Sequence, residues 1–103
     1  MGTNFYLLQN VCTQCHKPDE VLHIGKRSFG WCFTFQGFEN IKTTDEWKRL
    51  MQIPNSIIED EYHHTHTFDD FWKMVDNLKD GRVNTYDSFQ DNHGYWFHSE
   101  DFS

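Results

Sequence analysis

Cysteine and proline are scarce in this sequence, and long apolar runs are absent. Its 103 residues include three cysteines and two prolines, and no stretch approaches the roughly 18 apolar residues of a membrane-spanning helix. The odd number of cysteines, and the lack of a basic start followed by an apolar segment, argue against a secreted disulfide scaffold. The sequence therefore predicts a soluble protein of a reducing compartment, the cytoplasm, with no membrane partner.

Basic residues are also few. Nine Lys and Arg face 16 Asp and Glu, which gives a net charge of −7. Residues 1–54 carry six basic and five acidic side chains, whereas the second half carries eleven acidic and three basic ones. An acidic half repels nucleic acid and attracts basic protein surfaces, although such charge also serves solubility alone. We expect a protein partner with a basic surface, and the charge argues against nucleic acid.

Aromatic residues are the abundant class. They make up 17% of the chain, with ten Phe and four Trp, whereas all hydrophobic residues together reach only 37%. A chain of this length forms one domain, residues 1–103, whose modest core must consist largely of packed rings. A bound metal ion or another cross-link would add to the stability of a domain of this size.

A C-x-x-C turn is a candidate for such a metal-binding cross-link. Cys12 and Cys15 follow a predicted strand over residues 4–11. Two thiolates at this spacing reach one tetrahedral ion, and structural zinc sites add a second pair of Cys or His ligands. A redox pair is the alternative, but no βαβ thioredoxin pattern surrounds the motif.

A predicted hairpin supplies the second pair of ligands. Residues 20–25 and 30–36 are typical of strands, and a polar turn over residues 26–29 would place His23 opposite Cys32. Directly opposed residues have Cβ atoms about 5 Å apart, which is close enough to share one ion. The predicted structural zinc site is therefore Cys12, Cys15, His23 and Cys32.

Other assignments remain open at this site. Cys32 is also typical of a small buried apolar residue, and His23 of a solvated strand position. His16, His93 and His98 are reserve candidates for the fourth ligand.

Two helices follow the hairpin in the sequence. Thr43 and Glu46 form a capping-box signature before a helix at about residues 44–52. Thr67 is a predicted N-cap for a second helix with an aromatic stripe, which ends near residue 80. Strands are predicted at residues 56–62 and 95–97. The predicted fold is a small single α+β domain, with an antiparallel sheet, an N-terminal zinc-ribbon-like C-x-x-C/hairpin element and two helices.

Two charged segments are candidates for partner binding. Lys26 and Arg27 occupy the predicted basic hairpin tip, and Glu59, Asp60 and Glu61 form an acidic strand end. A separate histidine cluster predicts a polar loop, with a second metal site as the alternative. Its members are His63, His64 and His66.

Several segments resemble one group of proteins. The opening MGTNFY, the C-x-x-C, and the segments HIGK (residues 23–26) and GWCF (residues 30–33) are similar to small, mostly uncharacterised phage and prophage proteins. Those proteins begin MGTNYY and carry C-x-x-C followed by HIGKxSxGWxF. This sequence departs from them at His16 and at His63-His64, where glycine is more usual. The resemblance implies a virus-encoded protein acting in the cytoplasm of a host bacterium, and no established chemistry.

Three functional classes follow from the sequence. The first is a zinc-stabilised protein that binds and inhibits or redirects a host bacterial protein without catalysis, such as a defence system, nuclease or transcription factor. The second is a zinc-ribbon binder of nucleic acid or nucleotides, which would use four cations and an aromatic platform. Its residues would be Lys26, Arg27, Lys48, Arg49 and Trp31. The third is a metal-dependent hydrolase built on Asp60 and the histidine cluster.

Overall fold

In the described part of the chain, seven strands form one sheet that carries two helices. The computed structural model describes residues 2–15, 17–28, 30–78, 81–82 and 88–98. The elements in chain order are β1 Gly2–Gln9, β2 Glu20–Ser28, β3 Thr34–Gln36, α1 Thr44–Met51, β4 Ile57–Asp60, β5 Thr65–His66, α2 Phe68–Asn77, β6 Ser88–Gln90 and β7 Trp96–His98. The coarse prediction of a small α+β domain with two helices is confirmed.

The sheet is mixed. Its strand order is β5-β4-β1-β2-β3-β7-β6, and β3 and β7 run parallel whereas the other neighbouring strands run antiparallel. The prediction of an antiparallel sheet is therefore wrong at β3–β7. A parallel pair needs a long crossover, and here the chain passes through both helices before β7 joins β3.

The predicted turn over residues 26–29 is also wrong where the structure describes it. β2 continues to Ser28, because β1 runs beside it and pairs Gly2 with Ser28. The chain reverses only afterwards, at Gly30, whose φ of +82° is one that glycine adopts without strain. β2 consequently pairs with β3 through Gly25 and Phe35 rather than Gly25 and Gly30.

This register changes which residues face each other. His23 pairs with Tyr6 of β1, and a bulge beside Phe5 accommodates the extra residue Ile24. The same register that pairs Gly25 with Phe35 and Lys26 with Thr34 places no residue of β3 opposite His23. The predicted pairing of His23 with Cys32 is therefore wrong, and no zinc-ribbon-like element is confirmed.

The core lies between one face of the sheet and the helices. Alternate residues of the strands contribute side chains to the core from the sheet, and the sides of α1 and α2 that face the sheet contribute further ones. Ring centroids lie 5.6 Å apart for Phe5 and Phe71 and 5.5 Å apart for Phe35 and Trp72. The predicted aromatic packing is confirmed. The core residues are Phe5, Leu7, Ile24, Phe33, Phe35, Ile41, Trp47, Met51, Ile58, Phe71, Trp72, Val75 and Phe97.

The opposite side of the sheet carries the intervening residues. Asn4 pairs with Lys26, which pairs in turn with Thr34, and directly paired residues share a face. We call this side the open face. Both helices that the structure describes contribute their buried residues to the other side.

Both helices begin at the predicted caps. The Thr43 hydroxyl accepts a hydrogen bond from the Glu46 amide at 3.3 Å, and the Thr67 hydroxyl accepts one from the Asp70 amide at 3.1 Å. Among the described residues, no helix is long and apolar enough to cross a bilayer.

Candidate functional site

The first candidate site is the turn that carries Cys12 and Cys15, which we call the thiol turn. Both thiols are exposed. Backbone hydrogen bonds from Cys15 and then Gln14 lower the pKa of the Cys12 thiol, because N–H donors favour the thiolate. The turn is anchored at its base, where the Val11 amide donates to the carbonyl of Asn55 at 2.9 Å. This arrangement leaves both thiols accessible from solvent.

The other two predicted ligands lie elsewhere. The His23 ring hydrogen-bonds the Asn4 side chain through Nε2 at 3.0 Å and packs on Tyr6. Cys32 is only 6% exposed, and burial raises the pKa of its thiol. Over the described part of the chain, no three His, Cys, Asp or Glu side chains are grouped to hold a metal ion. The structure thus does not bring the four residues together.

The two reserve ligands that the structure describes, His93 and His98, lie on or beside the C-terminal strands. His93 contacts Asp45 through Nε2 at 3.0 Å. His98 lies on β7, and His16 falls outside the described residues. The zinc ion itself stays a prediction.

The second candidate site is the β4–β5 hairpin, residues 57–66, which we call the acidic hairpin. Its organising residue is Asp60, which is 6% exposed and pairs with Phe5 on the core side of the sheet. Asp60 Oδ1 accepts hydrogen bonds from the amides of Tyr62 at 2.9 Å and His64 at 3.0 Å. Oδ2 lies 3.0 Å from His66 Nε2. One carboxylate therefore binds the loop at three points.

The protonation of Asp60 reflects these contacts. Burial raises the pKa of this carboxyl, but the hydrogen bonds from His66 and from the His64 and Tyr62 amides outweigh it. The net pKa lies below its ordinary value, because each donor favours the charged form. The Asp60 carboxylate stays ionised, and its oxygens are hydrogen-bonded within the hairpin. Its side chain is therefore not accessible to a partner.

The tip of the acidic hairpin presents Tyr62. This side chain is 59% exposed, and it follows Glu61, whose carboxylate accepts a hydrogen bond from the Asn4 amide at 2.7 Å. Glu59 contacts His63 at 3.3 Å. The predicted partner residues Glu59 and Glu61 therefore belong to the same hairpin as an exposed aromatic ring.

Further acidic residues lie in the segment that follows the hairpin. Asp69 and Asp70 are exposed in the first turn of α2. Residues 57–72 contain no Lys or Arg. Because acidic side chains are stabilised at a helix N-terminus, these two charges also serve the helix.

The histidine cluster does not form a metal site in the described residues. His66 and the two loop amides occupy the carboxylate that a catalytic ion would need. The side chains of His63 and His64 are 86% and 77% exposed. The geometry supplies no ligand set for the hydrolase hypothesis.

The predicted cations do not share one surface. Lys26 lies on β2 at the open face, and Arg27 is exposed beside it. Lys48 lies over the ring of Trp72, 4.8 Å from its centroid, on the helical side of the sheet. A single phosphate-binding surface with all four cations is therefore not formed.

Sequence reasoning missed Asp91, which ties the β6–β7 hairpin to α1. Its Oδ2 accepts hydrogen bonds from the amide and hydroxyl of Thr44 at 2.8 and 2.7 Å, and its Oδ1 from the amides of His93 and Tyr95. Burial raises the pKa of Asp91, but these bonds, led by the Thr44 hydroxyl, lower it overall. The turn-forming sequence at residues 91–94 was the available signal.

A scan against protein-family models finds no match, and searches of curated proteins and of solved structures find no similar chain.

Proposed function

We propose that this protein acts by binding rather than catalysis, and that the tip of the acidic hairpin contacts a basic surface of a host bacterial protein. The virus-encoded origin rests on the sequence resemblance. The binding role would inhibit or redirect a host factor such as a defence system, a nuclease or a transcription factor.

The observation that carries the proposal is the exposure of Tyr62. Tyr is enriched among the residues that dominate binding energy, because its ring offers a large contact area and its hydroxyl a polar end. Asp60 holds the backbone on both sides of this ring. A fixed loop loses little conformational entropy on binding, which favours affinity.

The negative charge near Tyr62 determines which kind of partner surface fits this site. Glu59 and Glu61 precede Tyr62 in a segment, residues 57–72, without Lys or Arg. Such a field attracts a basic surface and accelerates its association, and salt weakens this effect. A basic protein surface, including one that itself binds nucleic acid, fits this site.

Affinity capture from bacterial lysate, followed by titration with the purified captured protein, tests the proposal. We expect Tyr62→Ala to weaken binding at least tenfold, and Glu59→Gln with Glu61→Gln to slow association most at low salt. Glu39→Gln, an exposed acid outside the hairpin, is the matched control. A captured protein that binds wild type and Tyr62→Ala equally would contradict the assignment of the interface.

The proposal includes one structural zinc ion with Cys12 and Cys15 as two of its ligands. The exposed, closely spaced thiols support this half of the site. Elemental analysis should find about one zinc per chain in wild type and none after both residues are changed to Ser. Wild-type protein purified without zinc, and unable to take it up, would contradict this part.

A further inference from the structure

A cavity of about 270 Å³ opens on the face of the sheet away from the helices. Its strand residues are Lys26 and Ser28 on β2, Thr34 on β3, Ser88 on β6 and His98 on β7. Lys26 pairs with Thr34, and Ser88 pairs with His98, so each pair shares one face. The loop after β2 adds Trp31 and Cys32 as a wall. The cavity therefore belongs to the open face.

The polar groups around the cavity suit an anion. Among the residues that the structure describes, the cavity lining contains no carboxylate, although the chain carries 16 acidic side chains. Lys26 provides a positive charge, and Ser28 and Thr34 provide hydroxyl groups beside it. Ammonium and hydroxyl donors together are a common environment for phosphate oxygens.

The side chain of Lys26 lies against Gly2 on the neighbouring strand β1. A Cβ atom on Gly2 would clash with Lys26 Cε, so the lysine stem occupies the space that glycine leaves open. The stem of Lys26 therefore lies across β1.

Trp31 provides a flat apolar surface next to the lysine. Its side chain is 38% exposed. The backbone behind it is held by the Trp31 amide, which donates to the Ser28 carbonyl at 3.0 Å, and by the Cys32 amide, which donates to the Arg82 carbonyl at 2.9 Å. An exposed indole ring on a fixed backbone is a stacking surface for a planar base.

We infer that this cavity binds a mononucleotide, with the phosphate on Lys26 and the hydroxyl groups and the base stacked on Trp31. The volume lies slightly below the ~300–1,000 Å³ typical of small-molecule sites, so the base would lie at the mouth, where Trp31 is exposed. A net charge of −7 opposes a long polyanion far more than a single phosphate. This site is separate from the acidic hairpin and does not depend on the proposed protein partner.

Calorimetric titration of the full chain tests the inference, with adenosine monophosphate, adenosine, inorganic phosphate and a ten-nucleotide DNA strand as probes. We expect saturable binding of the monophosphate, at least tenfold weaker binding of adenosine and phosphate, and no tighter binding of the strand. Lys26→Ala and Trp31→Ala should each weaken monophosphate binding at least tenfold. Lys42→Ala, an exposed cation outside the cavity, should leave it unchanged.

Several results would overturn the inference. These are no saturable monophosphate binding, equal binding by Lys26→Ala, phosphate alone binding as tightly as the monophosphate, or the strand binding more tightly than the monophosphate. Chemical-shift mapping with isotope-labelled wild-type protein gives a second readout that needs no variant. The Trp31 indole signal should move on titration, and shifts confined to residues outside the cavity would also overturn the inference.

Discussion

The thiol turn and the acidic hairpin are both polar reversals at strand ends, but different groups hold them. A buried carboxylate binds the hairpin from inside, whereas the buried Val11 holds the base of the thiol turn through its amide hydrogen bond to Asn55. In the hairpin, Asp60 lies beneath the loop and accepts three hydrogen bonds. In the thiol turn, Cys12 and Cys15 both project to solvent. The comparison teaches that a buried, hydrogen-bonded carboxylate organises one of these two loops, whereas the two cysteines lie on the surface of the other.

The largest loss of stability is expected when Asp60 is replaced. Asp60→Ala leaves the amides of Tyr62 and His64 without their acceptor inside the hairpin, and a lost buried partner costs about 1–3 kcal/mol per group. We expect the free energy of unfolding to fall by about 3 kcal/mol, measured by urea denaturation at neutral pH. A loss below about 1 kcal/mol would mean that the hairpin does not depend on this carboxylate.

Asp91 offers an independent test of the same principle at the other hairpin. Asp91→Ala removes the acceptor for Thr44 at the start of α1 and for two loop amides. Because Asp91 is less buried than Asp60, water replaces part of what is lost. We expect a decrease of about 2 kcal/mol in the free energy of unfolding. Thr44→Ser, which keeps both donors, is the control and should lose less.

Acid should weaken the protein through both carboxylates. Their pKa values are lowered in the folded state, so they stabilise it fully above the unfolded value of about 4. That contribution disappears as the pH falls from about 4 through the lower folded pKa values. Denaturation at several pH values between 6 and 2.5 should show that the free energy of unfolding depends less steeply on pH in the double variant, Asp60→Asn with Asp91→Asn, than in the wild type. Parallel curves would contradict the lowered pKa values.

The helix cap that leads out of the acidic hairpin should have a smaller effect. Thr67→Ala removes the acceptor for the Asp70 amide, and loss of an N-cap costs about 1 kcal/mol. Thr67→Asn, another good N-cap residue, should restore most of the stability in the same denaturation assay. Equal losses for Ala and Asn would indicate that the cap is not responsible.

The smallest effect is expected in the thiol turn. In metal-free protein, Cys12→Ser with Cys15→Ser alters only exposed side chains, so we expect the melting temperature to change by less than about 2 °C. Thermal unfolding with a chelator present measures this. A shift of about 10 °C or more would show that the thiols support the fold without any metal.

Local patterns predicted much of the fold. The aromatic stripe of α2 and the caps at Thr43 and Thr67 were identified correctly, because the spacing of a helical face and the hydrogen bonds of a cap join residues within four positions of each other. Strand pairing depends on distant partners. The polar residues 26–28 suggested a turn, but β1 runs along them and extends the strand instead.

The candidate site was predicted less completely for the same reason. Glu59 and Glu61 were recognised as an acidic segment, whereas the inward position of Asp60 follows from its pairing with Phe5. Asp is a frequent turn residue that bonds the backbone two positions ahead, so its bond to Tyr62 had a local signal. For the cavity on the open face, the sequence indicated Lys26 and Trp31 as nucleotide-binding candidates, but it gave no sign of the cavity itself, which joins four strands separated along the chain.

Amide hydrogen exchange in the acidic hairpin tests the central claim most directly. The amides of Tyr62 and His64 lie on an exposed loop, yet both donate to Asp60, and hydrogen-bonded amides exchange slowly. The account predicts strong protection of both in wild type and in the double cysteine variant, and its loss in Asp60→Ala at a pH where the rest of the sheet stays protected. Rapid exchange of both amides in the wild-type protein would contradict it.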